Sequence, residues 1–262
     1  MAVTQIETSL LAATLNRFHG VDVDPDGLGS DPEAFADRLT RSLATWRDDG
    51  AKVVWLDISI DRAELIPAAA KAGFTFHHSD PDRVVMTLPL VPGAVIPPHA
   101  THYIGAGGLV LNDRQELLVI TERLHRPPRH YKLPGGALMP GEHLVDAVIR
   151  EVWEETGIRT RFRALMGFRH WHGYRFGKSD IYCICRLDPL TEEITIQEDE
   201  IATCQWLPVE QYISGEGTHP FNRQMAAAAL RGEGLVPTWF EDYDRSRKTH
   251  EIFVPGGTGT AR

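Results

Sequence analysis

The sequence predicts two α/β domains in tandem joined by an extended linker. Three observations carry that expectation. Helical and strand periodicities alternate over the first ninety residues. PLVPGAVIPPHA, from Pro89 to Ala100, then breaks the pattern with four prolines and one glycine. Beyond it, strand-like runs surround one strongly amphipathic helix that follows a Gly/Pro loop. The expected boundaries are a small α/β domain over residues 1–95, a second domain over 99–215, and a helix with a mobile tail over 216–262.

In the first domain, Asp31 is placed to cap a helix that has Pro32 in its first turn. Phe35, Leu39, Leu43 and Trp46 recur along it at helical spacing, and Gly50 ends it. KVVWLDISI (52–60) is an apolar, β-branched strand. Asp61 reads as the cap of a second helix running through Leu65, Ile66, Ala69 and Lys71 to Gly73. FTFHH and RVVMTLPL read as strands joined by the turn SDPD. The paired His77 and His78 at a strand end read as structural or interfacial. So small a unit is expected to pack on its neighbour or to dimerise.

The second domain opens with THYIGAGGLVLNDRQELLVITER, read as a β-hairpin around Asn112-Asp113 with Leu109, Leu111, Leu118 and Ile120 on its strands. Gly105, Gly107 and Gly108 superficially suggest a dinucleotide loop, but no helix follows, so a closely packed strand is the better reading. Cys183 and Cys185 lie two apart in IYCICRL, on one strand face, and read as buried reduced thiols. Near the C-terminus, Phe221 to Leu230 reads as a helix.

Composition limits the function classes. The chain has 262 residues, 42% apolar and 24% charged, with 36 acids against 27 bases and a formal charge of −9. That balance argues against nucleic acid as the main partner, while a metal could still bring a phosphate ligand to the chain. No run approaches the ~20 apolar residues of a membrane span. The first eighteen residues lack the basic region and cleavage site of a signal peptide, so the expectation is a cytoplasmic protein with no membrane partner.

The chemistry is concentrated in GALMPGEHLVDAVIREVWEETGI, starting at Gly136. Pro134, Gly135, Gly136, Pro140 and Gly141 exclude a regular helix before Glu142. Leu144, Val145, Val148 and Val152 then mark a buried helical face that Gly157 stops. Glu151, Glu154 and Glu155 fall at i, i+3 and i+4, so three carboxylates share one face. The C-terminal turn of a helix disfavours such anions unless a cation is present. Oxygen-only donors suit Mg²⁺ or Mn²⁺.

Gly136, Glu142, Arg150, Glu151, Glu154, Glu155 and Gly157, with apolar Val152 and Ile158, fit GX5EX7REUXEEXGU at every specified position. Seven fixed residues at ~5–7% background would coincide by chance at about one start in 10⁸. This stretch is identified as the Nudix box. The resemblance implies an α/β/α sandwich in which a loop–helix–loop packs between a mixed sheet and a second helix. It implies Glu151 and Glu155 as main metal ligands, Glu154 assisting, and a carbonyl near Gly136 contributing. Arg150 and Glu142 would hold the glutamates in place. The reaction implied is attack of water on phosphorus, assisted by Mg²⁺ or Mn²⁺. In the family an acidic residue ahead of a Trp-containing strand often serves as base. In IQEDEIATCQWLP that points to Glu200, with Glu198 and Asp199 as rivals.

FGKSDIYCICRL, KVVWLDI, AAAKAGFTFHH and YKLPGG further resemble one Nudix subgroup, the plant ADP-ribose/NADH pyrophosphatases and the animal Nudix protein encoded antisense to a fibroblast growth factor gene. That likeness implies a half-acetyltransferase-like N-terminal domain, a homodimer, and a small-molecule nucleotide substrate such as ADP-ribose or NADH. It also implies that Gly177-Lys178-Ser179-Asp180 lies beside the substrate, with contacts from Lys178 to a phosphate and from Arg169, His170 and Trp171 to a ribose or base. Trp171 and Tyr174 read on their own as core or lid aromatics. The alternative function is a nucleotide sensor with little turnover, which a degraded box would favour.

Overall fold

Hydrogen bonding of Asp31 shows how local chemistry sets the first long element. Its side chain accepts from the backbone N–H groups of Glu33 and Ala34, capping a helix with Pro32 in its first turn. The computed structural model describes residues 10–123, 130–215, 218–232, 234–240, 246 and 249–255. They divide into two compact units, Met1–Ala100 and Thr101–Arg262.

The first unit contains β1 (Ala13–Leu15), β2 (Gly20–Val23), α1 (Pro32–Asp48), β3 (Val53–Ser59), α2 (Ile66–Lys71), β4 (Thr75–Asp80) and β5 (Arg83–Pro89). Its sheet runs β1-β2-β3-β5-β4, with β2 and β3 parallel and the other pairs antiparallel. Phe35, Leu39 and Leu43 from α1 pack with Val54, Leu56 and Ile58 of β3 and with Met86 of β5. The expected second helix is corrected. Asp61 makes no cap, because residues 60–65 form a 3₁₀ turn and α2 begins only at Ile66. A continuous α-helix from Asp61 would need an N–H at Pro67 to reach Ala63, and proline has none. His77 Nδ1 lies 2.7 Å from His78 Nδ1, and His77 Nε2 lies 2.7 Å from the Pro97 carbonyl.

The second unit comprises β6 (His102–Val110), β7 (Glu116–Glu122), β8 (Gly135–Ala137), α3 (Leu144–Thr156), β9 (Thr160–Trp171), β10 (Ser179–Pro189), β11 (Ile201–Pro208), α4 (Val209–Ser214), α5 (Pro220–Leu230), β12 (Leu235–Pro237) and β13 (Phe253–Pro255). Six strands form a mixed sheet, β13-β12-β9-β10-β6-β8, in which only β6 and β10 run parallel; β7 and β11 pair separately. On one face Ala106, Cys183, Cys185 and Leu187 pack against Val148 and Val152 of α3. On the other, Leu109 and Ile184 pack with Ala226 and Ala229 of α5. This is the expected α/β/α sandwich.

The predicted hairpin is corrected to a single bridge, Leu111 to Leu117, after which the strands part. A strand has two edges, and those of β6 are taken by β10 and β8, while β7 is paired to β11. The glycines of β6 serve close packing. A Cβ at Gly107 would lie 2.7 Å from Tyr182 Oη, and one at Gly108 would lie 2.4 Å from Val152 Cγ2. Burial pushes the Cys183 thiol up to about 11 and the Cys185 thiol up as well, so both are reduced, unreactive core residues. Among the described residues no helix is long and apolar enough to cross a membrane.

The tail expected to be mobile is corrected in part. Phe253–Pro255 pairs with β12 at the sheet edge, while residues 256–262 lie outside the described residues. The same segment reaches α3. Glu251 Oε2 accepts from Leu144 N–H at 2.6 Å and Oε1 from Val145 N–H at 3.2 Å, supplying the cap that His143 does not provide. Glu251→Ala should therefore lower stability by about 1–2 kcal/mol, read from urea denaturation at unchanged m. Glu251→Gln, which keeps the acceptors, should lose less than half of that.

Candidate active site

Gly157, at φ 72°, ends α3 in the left-handed conformation, so the helix carries Glu151, Glu154 and Glu155 up to its last turn. At its other side, β8 presses glycine backbone onto the carboxylates. A Cβ at Gly136 would sit 2.5 Å from Glu151 Oε2, so only glycine allows this approach. The N–H of Gly135 donates to Glu155 Oε2 at 2.7 Å.

Arg150 gathers the remaining acids. Its guanidinium donates from Nε to Glu142 Oε1 and from Nη2 to Glu142 Oε2, each at 2.8 Å. Nη1 donates to Glu151 Oε1 at 2.8 Å and to Glu154 Oε2 at 3.0 Å. Glu142 also accepts from the N–H of Met139 at 2.9 Å, which ties the loop to this network. The Arg150 bonds hold the Glu142 carboxyl below its ordinary range and the guanidinium pKa above its own.

Glu155 behaves oppositely. It is buried, at 7% exposure, and burial pushes its carboxyl up to about 7 despite the Gly135 N–H. Lys132, which pairs with Glu122, opposes that rise, and Glu151 adds to it. Among the described residues no three His, Cys, Asp or Glu side chains converge tightly enough to enclose an ion. The donor set nonetheless fits a hard divalent cation. It is oxygen-only, it includes one carboxylate buried with too little opposing charge, and a glycine backbone lies against it.

The other expected site residues lie at two places. Glu198, Asp199 and Glu200 sit in an exposed turn ahead of β11. That segment adjoins the end of α3, where Thr195 N–H donates to the Thr156 carbonyl at 2.9 Å and Gln197 N–H to that of Glu155 at 3.4 Å. Trp206 is on β11, as expected of a Trp-containing strand. Arg169 and Trp171 lie on β9 and Lys178 just before β10. Arg169 Nη2 donates to Asp180 Oδ2 at 3.1 Å, and its guanidinium lies over the rings of Trp171 and Tyr182. Trp171 and Tyr174 are 52% and 45% exposed, which corrects the core reading for both.

Sequence reasoning missed Glu251, which carried no signal. Asp180 belongs to the stretch expected beside the substrate, and it forms half of a partly buried ion pair with Arg169. Asp180 faces a cavity of about 310 Å³ that Gly136 also borders, so the carboxylate network and the cavity share one edge.

Residues 101–229 match the NUDIX domain model, and residues 11–90 match a separate model described as Nudix hydrolase domain. Nudix hydrolase 2 of Arabidopsis thaliana is 37% identical over 211 residues, covering 79% of this chain and 75% of that protein. The chain belongs to the Nudix hydrolase family. Nucleoside diphosphate-linked moiety X motif 6 of Homo sapiens is 34% identical over 229 residues, 85% of this chain and 72% of that protein. Nudix hydrolase 8 of Arabidopsis thaliana is 40% identical over 211 residues, 79% of this chain and 57% of that protein's length. A MutT protein from Methanosarcina mazei Go1 covers 52% of this chain at 22% identity and a TM-score of 0.43. Nudix hydrolases act on small-molecule nucleotides and generally use divalent metal ions.

Proposed function

We propose that this Nudix hydrolase cleaves the pyrophosphate bond of a nucleoside diphosphate linked to a second moiety, such as ADP-ribose or NADH, giving two monophosphates. The observation that carries the reading is the packing of Glu151 and Glu155 against the glycine backbone of β8, with Arg150, itself held by Glu142, bracing Glu151 and Glu154. Glu151, Glu155 and Glu154, with the Gly136 carbonyl, would hold Mg²⁺ or Mn²⁺. Bound there, the cation supplies Lewis-acid activation of water and offsets charge on the phosphates.

The protein's own groups divide the remaining work. Arg150 fixes the rotamers of Glu151 and Glu154, and Glu142 in turn fixes Arg150 through two parallel hydrogen bonds. Glu200, exposed and free to approach from the loop beside α3, is assigned the proton of the attacking water. Lys178 is assigned a phosphate oxygen. Arg169 and Trp171 act on the substrate from β9, Arg169 through its ion pair with Asp180.

The test is chromatographic. The purified chain is incubated with ADP-ribose, NADH, NAD⁺, CoA or diadenosine polyphosphates, in Mg²⁺, in Mn²⁺ and in EDTA. The expected result is AMP with ribose 5-phosphate from ADP-ribose, or AMP with reduced nicotinamide mononucleotide from NADH. Turnover should vanish in EDTA and return when either metal is restored. Turnover that persists in EDTA would remove the metal from the mechanism. Failure to cleave any substrate with either metal, alongside measurable nucleotide binding, would leave a sensor.

A further inference from the structure

The cavity beside Gly136 has a composition unlike the carboxylate network it adjoins. Its volume, about 310 Å³, is at the low end of small-molecule sites, roughly 300–1,000 Å³. That is room for one planar group and too little for a whole dinucleotide. Tyr103 and Tyr174 meet edge to face at its mouth, with ring centroids 5.8 Å apart. Phe176 stands beside them, 86% exposed. Its backbone is left-handed, at φ 54° and ψ 33°, a region that a bulky side chain enters only when the surroundings impose it. The turn imposes it here. Tyr174 N–H donates to the Lys178 carbonyl at 2.9 Å, and Lys178 N–H donates to that of Arg175 at 3.1 Å.

One wall carries a carboxylate. Asp180 has a side chain only 10% exposed, and it lines the cavity. Arg169 occupies Oδ2 and is itself stacked over two rings, so the carboxylate is fixed in direction. Among the described residues no donor is directed at Oδ1. A carboxylate accepts hydrogen bonds and gives none. Arg169 offsets its charge and Arg175 also lines the cavity, so what Oδ1 lacks is a hydrogen-bond donor, and the aromatic walls suit one carried on a flat ring.

We infer that this cavity takes the nucleobase of the substrate, stacked against Phe176 and Tyr174, and that Asp180 selects bases carrying an exocyclic amino group. Adenine, guanine and cytosine present such a donor. Hypoxanthine presents a carbonyl in its place, which would set lone pair against lone pair at Asp180. Gly136 borders both cavity and carboxylates, so a base seated here directs its phosphates toward Glu151 and Glu155. The inference rests on the proposed function for where the phosphates go. It assigns Phe176 and Asp180 to specificity, and it makes Arg169 a positioning residue for Asp180.

Calorimetric titration of the full chain with AMP and with IMP tests it without requiring turnover. AMP should bind about 10- to 100-fold more tightly than IMP, the range for a hydrogen bond to a charged group. Phe176→Ala, at an exposed position that leaves the core intact, should weaken AMP about 5- to 100-fold. Phe176→Leu should weaken it comparably, because bulk without a π face does not stack. Asp180→Asn, checked for native circular dichroism, should bring IMP to within about twofold of AMP, since an amide can donate as well as accept.

Equal affinities for AMP and IMP in the unaltered chain would overturn the inference, as would no measurable binding of either. So would a Phe176→Ala variant that binds AMP as before. A loss with 2′-deoxy-AMP that Asp180→Asn abolishes would assign the carboxylate to ribose and overturn the base reading. AMP selectivity in a chain that hydrolyses nothing would defeat the proposed function and leave this inference standing. Hydrolysis indifferent to adenine or hypoxanthine would do the reverse.

Discussion

Gly135→Ala should destabilise the second unit by about 3 kcal/mol or more, close to the upper end of single-substitution effects. Gly135 has φ 148°, where L side chains are strained, and an added Cβ would stand 2.1 Å from the Ala106 carbonyl oxygen and 2.7 Å from Gly107 Cα. Both obstacles are backbone in a central strand, so neither can rotate away. Relief requires β8 to lift off β6, which breaks the pairing of Gly105 with Ala137 and of Ala106 with Gly136. Glu155 would lose its Gly135 donor at the same time. Gly141→Ala is the control. That residue is also left-handed, at φ 76°, but no atom lies within 4 Å of the added methyl. It should cost only the intrinsic penalty of about 1 kcal/mol. Urea denaturation of the two variants should separate the steric effect from the conformational one. Equal losses would show that β8 moves freely and does not hold the carboxylates.

The residues that could be read from sequence are those whose partners are near in the chain. The Asp31 cap, the Gly157 stop and the acidic face of α3 all arise within a few residues, where spacing determines geometry. Gly136 was legible through its spacing to Glu151, although the reason for it, a carboxylate pressed onto Cα, is visible only in three dimensions. What stayed hidden depends on edges and on distance. The run from Tyr103 to Arg123 has the alternation of a hairpin, but strand partners are chosen globally, and β10 and β8 took both edges of β6. Asp61 had the local form of a cap, yet Pro67 six residues later set where α2 could begin. β1 and β2 are short and lie in a Gly/Asp-rich stretch with no clear period. Glu251 caps α3 from 107 residues away. No local pattern encodes such a contact, because nothing near Glu251 in sequence depends on it. Asp180 lies in a stretch whose resemblance placed it beside the substrate, but its partner Arg169 is set by pairing across β9 and not by any local pattern.

Glu155→Gln should separate stability from activity, with opposite signs for the two. The substitution leaves an amide oxygen to accept from Gly135 N–H while removing the negative charge proposed to hold the cation. Losing residues that merely support a metal ligand costs ~10–100-fold, so losing a ligand itself should lower kcat/KM by about 10³-fold or more, measured with ADP-ribose and Mg²⁺. Stability in EDTA should move the other way, and with a particular pH dependence. Burial raises the Glu155 carboxyl from 4.5 to about 7 in the folded chain. The neutral form is therefore the one that the fold favours. Its contribution is fully present below about pH 4.5 and is lost as pH rises through about 7. The unaltered metal-free chain should accordingly lose on the order of 2–3 kcal/mol from this group between those limits. Glu155→Gln, which cannot ionise, should lack that slope. At pH 8 in EDTA the variant should unfold at higher urea than the unaltered chain, and at pH 5 the two should nearly coincide. Added Mg²⁺ should stabilise only the unaltered chain, because only it offers the charge that the ion would offset. A variant less stable than the unaltered chain at pH 8 would mean that Glu155 already has its counter-charge within the protein. The argument for a cation at this position would then fall.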